Sequence, residues 1–202
     1  MFWQEYYNNW GGYLLYSPDL NLWNWGSTWW TSPNKPIFLL FSYPVFFTAI
    51  YTLLTALMRK VVRSWPGGSL FALTMIVCAP IFYGYNLFVD GMSVDAGLWN
   101  YVDAIGPVLR TPAGGSEPLL WPGVPFALFG SLLVYSLVRV DGDGHPTYLR
   151  LARPDRCEPG IKRETVRAGA SMLWWNLIYG LFMTIPVNLG RELFGHPSLL
   201  VP

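Results

Sequence analysis

The chain has 202 residues, of which 52% are hydrophobic and only 12% are charged, and its formal net charge is +1. A near-neutral chain offers no strongly basic surface for phosphates, so we expect no nucleic-acid partner. The 11 Trp and 12 Tyr residues suit a bilayer, where these side chains gather at the interfaces. The composition therefore indicates an integral membrane protein and argues against a soluble domain.

An aromatic segment begins the chain. Residues 1–35 are too polar to span a bilayer and too aromatic to lie freely in water. We expect an interfacial segment that lies across the ends of the membrane helices as an aromatic outer cap.

Four uncharged stretches follow, over residues 36–58, 64–89, 118–138 and 168–190. Each is long enough for a helix to cross a hydrocarbon core of about 30 Å. Because backbone groups in lipid must be satisfied internally, each stretch is predicted to be helical. The predicted fold is all-α, a single domain over residues 1–202 that forms a polytopic bundle of four transmembrane helices.

Basic residues are distributed unequally between the loops. Ten of the 13 Lys and Arg residues lie in the loops that join the first span to the second and the third to the fourth. Retained Lys and Arg mark the cytoplasmic side, where they also meet anionic lipid headgroups. The loop of residues 139–167 is therefore predicted to be cytoplasmic, whereas residues 90–117 and both termini are predicted to be non-cytoplasmic.

A short aromatic motif occurs twice. Residues 22–25 read LWNW before the first span, and residues 98–101 read LWNY before the third. Two parallel two-helix repeats would explain the match, as in transporters built from repeated halves. Two independent interfacial aromatic segments would explain it equally well.

The cysteines and histidines do not form a recognisable metal-binding pattern. Cys78 falls in the middle of a predicted span and Cys157 in the cytoplasmic loop, while His145 and His196 fall on opposite sides of the membrane. We therefore expect no metal site and no cofactor.

Carboxylates flank the predicted non-cytoplasmic loop. Asp90 lies at the outer end of the second span, and Glu117 lies immediately before the third. Partial loss of hydration at a membrane boundary favours a protonated carboxyl group, which a general acid needs near neutral pH. The alternative is that both carboxylates are solvated and only mark where the membrane ends.

A third acid, Glu5, lies in the segment FWQEYYNNW. Its neighbours include Trp3, Tyr6, Tyr7 and Trp10, whose faces can stabilise a developing positive charge on a substrate. The alternative is an interfacial anchor without a chemical role.

Part of the chain, about residues 83–135, resembles two groups of small membrane enzymes. The pairs Tyr85-Asn86 and Glu117-Pro118, with Gly97-Leu98-Trp99 between them, are similar to a pattern of the avermectin-pathway spirocyclase family. Asp90 followed by residues 97–101, GLWNY, is similar to carotenoid-biosynthesis membrane proteins, including the heterodimer-type lycopene cyclases and the hydratases.

The resemblance implies chemistry without a metal or a nucleotide, in which membrane carboxylates protonate a double bond or a hydroxyl group so that a ring closes. The predicted catalytic residues are Asp90, Glu117 and Glu5. The predicted substrate-binding residues are Tyr85, Asn86, Trp99, Tyr101 and Arg110.

Two functions follow as hypotheses. The first is a cyclase or hydratase that acts on a lipophilic, isoprenoid-like or polyketide-like substrate. The second is a non-catalytic accessory or scaffold subunit of a larger membrane complex. The expected partners are membrane lipids and the lipophilic substrate, together with a second copy of the chain or a partner subunit.

Overall fold

The computed structural model describes residues 2–24, 31, 34–198, 200 and 201. The described part is mostly helical. Its α-helices are α1 Glu5–Gly11, α2 Leu39–Ser64, α3 Leu70–Asp95, α4 Gly123–Val138, α5 Ile161–Tyr179 and α6 Ile185–Phe194. A π-helical turn, Gly180–Thr184, joins α5 to α6, and 3-10 turns occupy Phe2–Gln4, Thr147–Leu151 and Pro154–Arg156.

Three of the described helices are long and apolar enough to cross a membrane, by length and composition. They are α2, α3 and the continuous run Ile161–Phe194. The helix α4 is apolar but has only 16 residues, which corresponds to a length of about 24 Å. The structure thus confirms helices that could span a membrane for three of the four predicted stretches. The fourth span remains a prediction.

The boundary between the first two spans differs from the expected one. The second uncharged stretch begins at residue 64, but α2 continues to Ser64 and α3 begins only at Leu70. A Pro-Gly-Gly turn over residues 66–68 separates the two helices. The Oγ of Ser69 then accepts a hydrogen bond from the backbone N–H of Ala72 and caps α3. A boundary drawn from the absence of charged residues misses this break, because the turn is uncharged.

The far end of α3 also differs. Residues 90–95 are expected in a loop, but they form the last turns of α3. The helix ends in a Schellman arrangement, in which Leu98 N–H donates to Ser93 O and Gly97 N–H donates to Val94 O. Gly97 has a φ of +70°, a conformation that glycine adopts without strain. Asp90 is therefore held on a helix.

The expectation of a helical fold is confirmed in the coarser form of a mostly helical chain, and in the described residues three short antiparallel strand pairs accompany the helices. They are β1 Leu14–Tyr16 with β4 Trp99–Tyr101, β2 Leu22–Asn24 with β3 Asn34–Pro36, and β5 Val108–Arg110 with β6 Ser116–Pro118. The two aromatic motifs fall in β2 and β4, except that Trp25 lies outside the described residues. Their strand partners differ, and the two-helix repeats remain a prediction.

The core lies between the long helices and is dense with aromatic rings. Phe82 of α3 and Phe129 of α4 are fully buried, as are Met58 and Leu133. Gly130 allows the two helices to approach, since a Cβ atom there would lie 2.7 Å from the Phe82 ring. Small residues are the usual means of bringing membrane helices close together.

The residues before the first long helix, 2–24 and 34–36, form what we call the N-terminal cap. It packs on one end of the bundle, where α1 lies against α6. The Arg191 guanidinium is buried there and donates to the carbonyl oxygens of Trp10 and Val201, while its Cζ lies 3.9 Å from the Trp10 ring centroid. Because β1 pairs with β4, the cap is also joined to the segment that follows α3.

Candidate functional site

A cavity of about 290 Å³ lies beneath the N-terminal cap, between the first turns of α2, the last turns of α3 and the start of α4. Most of its wall is apolar or aromatic, and Phe46, Phe126 and Met183 contribute to it. Six of the predicted site residues line it: Glu5, Tyr85, Asn86, Asp90, Trp99 and Tyr101. The tertiary structure therefore brings together acids that are far apart in the chain.

Glu5 is held by charged and neutral donors. One of its carboxylate oxygens accepts a hydrogen bond from the hydroxyl of Tyr179, at the end of α5. The other lies 3.5 Å from the Nζ of Lys35, in β3. Asn8 supports this arrangement, because its Nδ2 donates to the Tyr179 hydroxyl at 2.6 Å. Glu5 of α1 is thus fixed at the cavity wall by side chains from two other elements, α5 and β3.

Lys35 has no exposed surface. Its Nζ lies 5.0 Å from the ring centroid of Tyr16 and 5.7 Å from that of Tyr6, so the cation faces aromatic rings as well as Glu5. Burial lowers the pKa of Lys35 to about 7, although the nearby Glu5 carboxylate acts in the opposite direction. Lys35 can therefore change its charge near neutral pH, beside one of the cavity acids.

Asp90 has a different environment from Glu5. Its Oδ2 accepts a hydrogen bond of 2.9 Å from the hydroxyl of Tyr101, which is itself buried. Burial and the Asp90 carboxylate raise the pKa of Tyr101 well above its ordinary value, so this hydroxyl remains a donor. Among the described residues, no Lys, Arg or His forms an ion pair with Asp90. The cavity thus holds one acid with a counter-charge and one without.

Glu117 does not line the cavity. It lies in β6, is only 1% exposed, and neither of its carboxylate oxygens has a hydrogen-bond partner among the described residues. Burial, with a smaller effect of the Asp90 charge, raises the pKa of Glu117 to about 9. Glu117 is therefore a neutral carboxylic acid at pH 7, separate from the cavity surface.

Arg110 lies apart from the other predicted substrate-binding residues. It is exposed in β5, where its Nη1 donates to the hydroxyl of Ser116, and it borders an open groove that also includes Asp103. Tyr101 is the one predicted site residue that borders both this groove and the cavity.

The remaining predicted residues form the cavity wall. Tyr85 and Asn86 are neighbours on α3, one turn before Asp90. The Tyr85 ring lies 5.1 Å from that of Phe46 on α2, and this pair closes one side of the cavity. Trp99 lies in β4 and packs edge-on against Tyr16 of β1. The wall thus combines flat apolar surfaces with a few polar atoms, as ligand sites commonly do.

Several residues at the cavity are not predicted from the sequence, chiefly Lys35, Asn8, Tyr16 and Tyr43. For Lys35 there is a signal, because it is a single cation within an aromatic, proline-rich stretch. For the other three there is none. Among the described residues, no group of three His, Cys, Asp or Glu side chains is arranged to hold a metal ion.

Comparison with protein-family models, with curated proteins and with solved structures finds no match to this chain. The likeness to spirocyclases and carotenoid-pathway proteins therefore remains a prediction based on short motifs. What the cavity can do follows from its own geometry: it offers two acids in unlike settings within an aromatic enclosure.

Proposed function

We propose that this chain is an integral membrane cyclase or hydratase that performs acid–base chemistry on a lipophilic substrate without a metal. The observation that carries the proposal is the convergence of Glu5 and Asp90 on one aromatic cavity. Paired acids whose surroundings differ are the usual arrangement for a catalytic acid and a catalytic base. The resemblance to cyclases of isoprenoid-like or polyketide-like substrates points to the same class of reaction.

The proposed topology has four spans, with α4 as the short third span and both termini on the non-cytoplasmic side. The unequal distribution of Lys and Arg supports this orientation. The cap and the cavity would then lie at the outer membrane interface. The proposal also includes two parallel two-helix repeats, and their support is the aromatic motif that occurs at residues 22–25 and again at residues 98–101.

Asp90 is proposed as the acid, because no described cation is paired with it to hold it as a carboxylate. Its O–H bond breaks as the proton is transferred to a double bond, and a second double bond or a hydroxyl oxygen of the same molecule forms the ring bond. Glu5 takes up the proton that the cyclised cation releases. The product is then an isomer of the substrate, and the catalytic groups are restored when Glu5 releases its proton to solvent and Asp90 takes one up.

Protonation of a hydroxyl group gives a distinguishable result. The hydroxyl then leaves as water, ring closure follows at the carbon it leaves, and the product is lighter by one water. In both cases the rings of Tyr85, Trp99 and Phe126 face the developing positive charge. Glu117 is proposed as a buried neutral acid close to this site, and Lys35 as the residue that positions Glu5.

The test compares membrane extracts from the native host carrying the wild-type chain, D90N, E117Q or D19N. Asp19 is an exposed carboxylate of the cap, so D19N is the matched control. Mass spectrometry should detect a lipid product that is an isomer of its precursor, lighter by one water, or, where water adds to the protonated double bond as in a hydratase, heavier by one water. D90N should reduce it by about a hundredfold or more, the usual contribution of a positioned acid. Unchanged product in D90N would refute the proposed chemistry, and a loss in E117Q alone would move the acid from Asp90 to Glu117.

The alternative function, an accessory subunit, gives a different outcome in the same cells. Mild solubilisation would then recover the chain in a stable complex of fixed stoichiometry, and removal of the chain would change the partner's yield without changing any lipid.

A further inference from the structure

Phe38, directly before α2, is the most exposed of the described residues that line the cavity. Phe38 is 43% exposed, whereas the other described residues that line the cavity are buried or half-buried. The mouth of the cavity therefore lies at the start of α2, at the edge of the N-terminal cap.

The two faces of α2 have different surroundings at this level. Leu39, Tyr43 and Phe46 follow one another at helical spacing and line the cavity. Phe41 and Val45 lie on the opposite face, where they are 71% and 70% exposed. The mouth is thus next to an outer surface formed by large apolar side chains.

Helix α3 continues this surface. Val89 and Asp90 face the cavity, while Phe88 and Met92 are among its exposed large apolar side chains. Both helices are long and apolar enough to cross a membrane, and in a bilayer these outer side chains would contact acyl chains.

A path from water is less favourable than a path from lipid. The side of the cavity below the cap is covered by β1 and β4, where Leu14 and Tyr101 are buried. A ligand arriving from water would have to separate this strand pair or, from the open groove that Tyr101 also borders, displace the buried Tyr101 side chain. A ligand dissolved in the bilayer would meet Phe38, the most exposed of the described residues that line the cavity.

We propose that the cavity opens sideways into the bilayer at Phe38, and that it admits a neutral, lipid-dissolved molecule with an apolar chain and a polar end. The polar end would lie deep in the cavity, near Asn8, Glu5 and Asp90, and the chain would extend past Phe38. That this molecule is also the substrate rests on the proposed function; the lateral opening does not.

The test places single cysteines at the mouth and at two reference positions. Cys157 is replaced by Ser, and Cys78 is kept because it is fully buried. Phe38→Cys probes the mouth, Phe41→Cys the outer face of α2, and Asp19→Cys an exposed position of the cap. The proteins are reconstituted in liposomes and labelled with an uncharged, lipid-soluble maleimide or with a sulfonated, membrane-impermeant thiosulfonate. The C157S protein without a new cysteine measures background labelling.

The expected result is that F38C and F41C both react with the lipid-soluble reagent. Relative to D19C, both should react at least about tenfold more slowly with the charged reagent, because a charge enters hydrocarbon at a cost of several kcal/mol. Reaction of F38C with the charged reagent at the rate of D19C would overturn the proposal, since the mouth would face water. Failure of F38C to react with either reagent would also overturn it, since no opening would exist.

A second measurement connects the opening to turnover. The lipid-soluble adduct on F38C should abolish the product followed above, whereas the same adduct on F41C should leave it unchanged. A lipid-facing F38C combined with full activity of D90N would leave the opening in place and refute only the proposed chemistry.

Discussion

The ammonium group of Lys35 lies 3.5 Å from the carboxylate of Glu5, and neither group is well solvated: the Lys35 side chain has no exposed surface and that of Glu5 is 12% exposed. The pair joins β3 to α1 within the cap, next to the cavity. It positions one of the two cavity acids and makes that acid depend on a residue far away in the sequence.

Replacing Lys35 by Met should destabilise the protein strongly. Removal of one partner from a buried ion pair leaves the other charge uncompensated, which typically costs about 3–5 kcal/mol. Denaturant unfolding in detergent micelles should therefore show a clearly lower midpoint for K35M, whereas K60M, at an exposed lysine, should unfold like the wild type. The double variant E5Q/K35M should recover part of the loss. Equal midpoints for K35M and K60M would refute the buried pair.

Replacing Tyr101 by Phe removes the hydrogen bond to Asp90 without changing the shape of the core. We expect a loss of stability of about 1–2 kcal/mol, because the Asp90 oxygen loses its described donor in a buried setting. Product formation should also fall, since Asp90 is no longer held in place. Y135F is the matched control. The hydroxyl of Tyr135 has one described hydrogen bond, which it accepts from Arg139 at the far end of α4. If Y101F behaves like Y135F in both assays, Tyr101 does not position Asp90.

Glu117 should make stability depend on pH. Its folded-state pKa of about 9 lies above the ordinary value of 4.5, so the folded protein binds more protons than the unfolded chain between these values. The stabilising effect of the protonated acid is complete below pH 4.5 and decreases as the pH rises to 9. In E117Q, which mimics the protonated form, the part of this decrease that Glu117 contributes should be absent, so stability should depend less steeply on pH than in the wild type. Chemical unfolding at pH 5 and pH 6.5 measures this pH dependence of stability. Both pH values lie below the pKa of Lys35, which is about 7, so the charge of Lys35 contributes little to the difference. Identical slopes for E117Q and wild type would contradict the assignment.

Glycine substitutions should distinguish a packed helix face from an open one. A Cβ at Gly130 would lie 2.7 Å from the Phe82 ring, so G130A should separate α3 from α4 and cost about 1–3 kcal/mol. Gly84 lies on α3, and a Cβ added there would meet no atom within 4 Å. G84A should therefore stabilise the protein by about 0.5–1 kcal/mol, because alanine favours a helix more than glycine does. Thermal unfolding followed by circular dichroism measures both. A stabilising G130A would show that the two helices are farther apart than described.

Much of the candidate site is predictable from local patterns. Asp90, Tyr85 and Asn86 share one end of a helix that hydropathy identifies, so their proximity follows from chain geometry. Arg110 is predicted in the same site but lies elsewhere, because a loop residue has no periodicity to indicate its direction. Glu117 is expected at the water boundary but is buried in a strand whose pairing no local signal predicts.

The amino-acid sequence alone determined the apolar segments, the unequal distribution of basic residues and the acids available for chemistry, since all three are properties of neighbouring residues. Only the tertiary structure decided which distant groups meet. Pairing of β1 with β4 joins the cap to the end of α3, and burial of Lys35 beside Glu5 places one acid in the same cavity as Asp90. The physical reason is that a short strand or a single charge can satisfy its partners in many ways, and packing of the whole chain selects one of them.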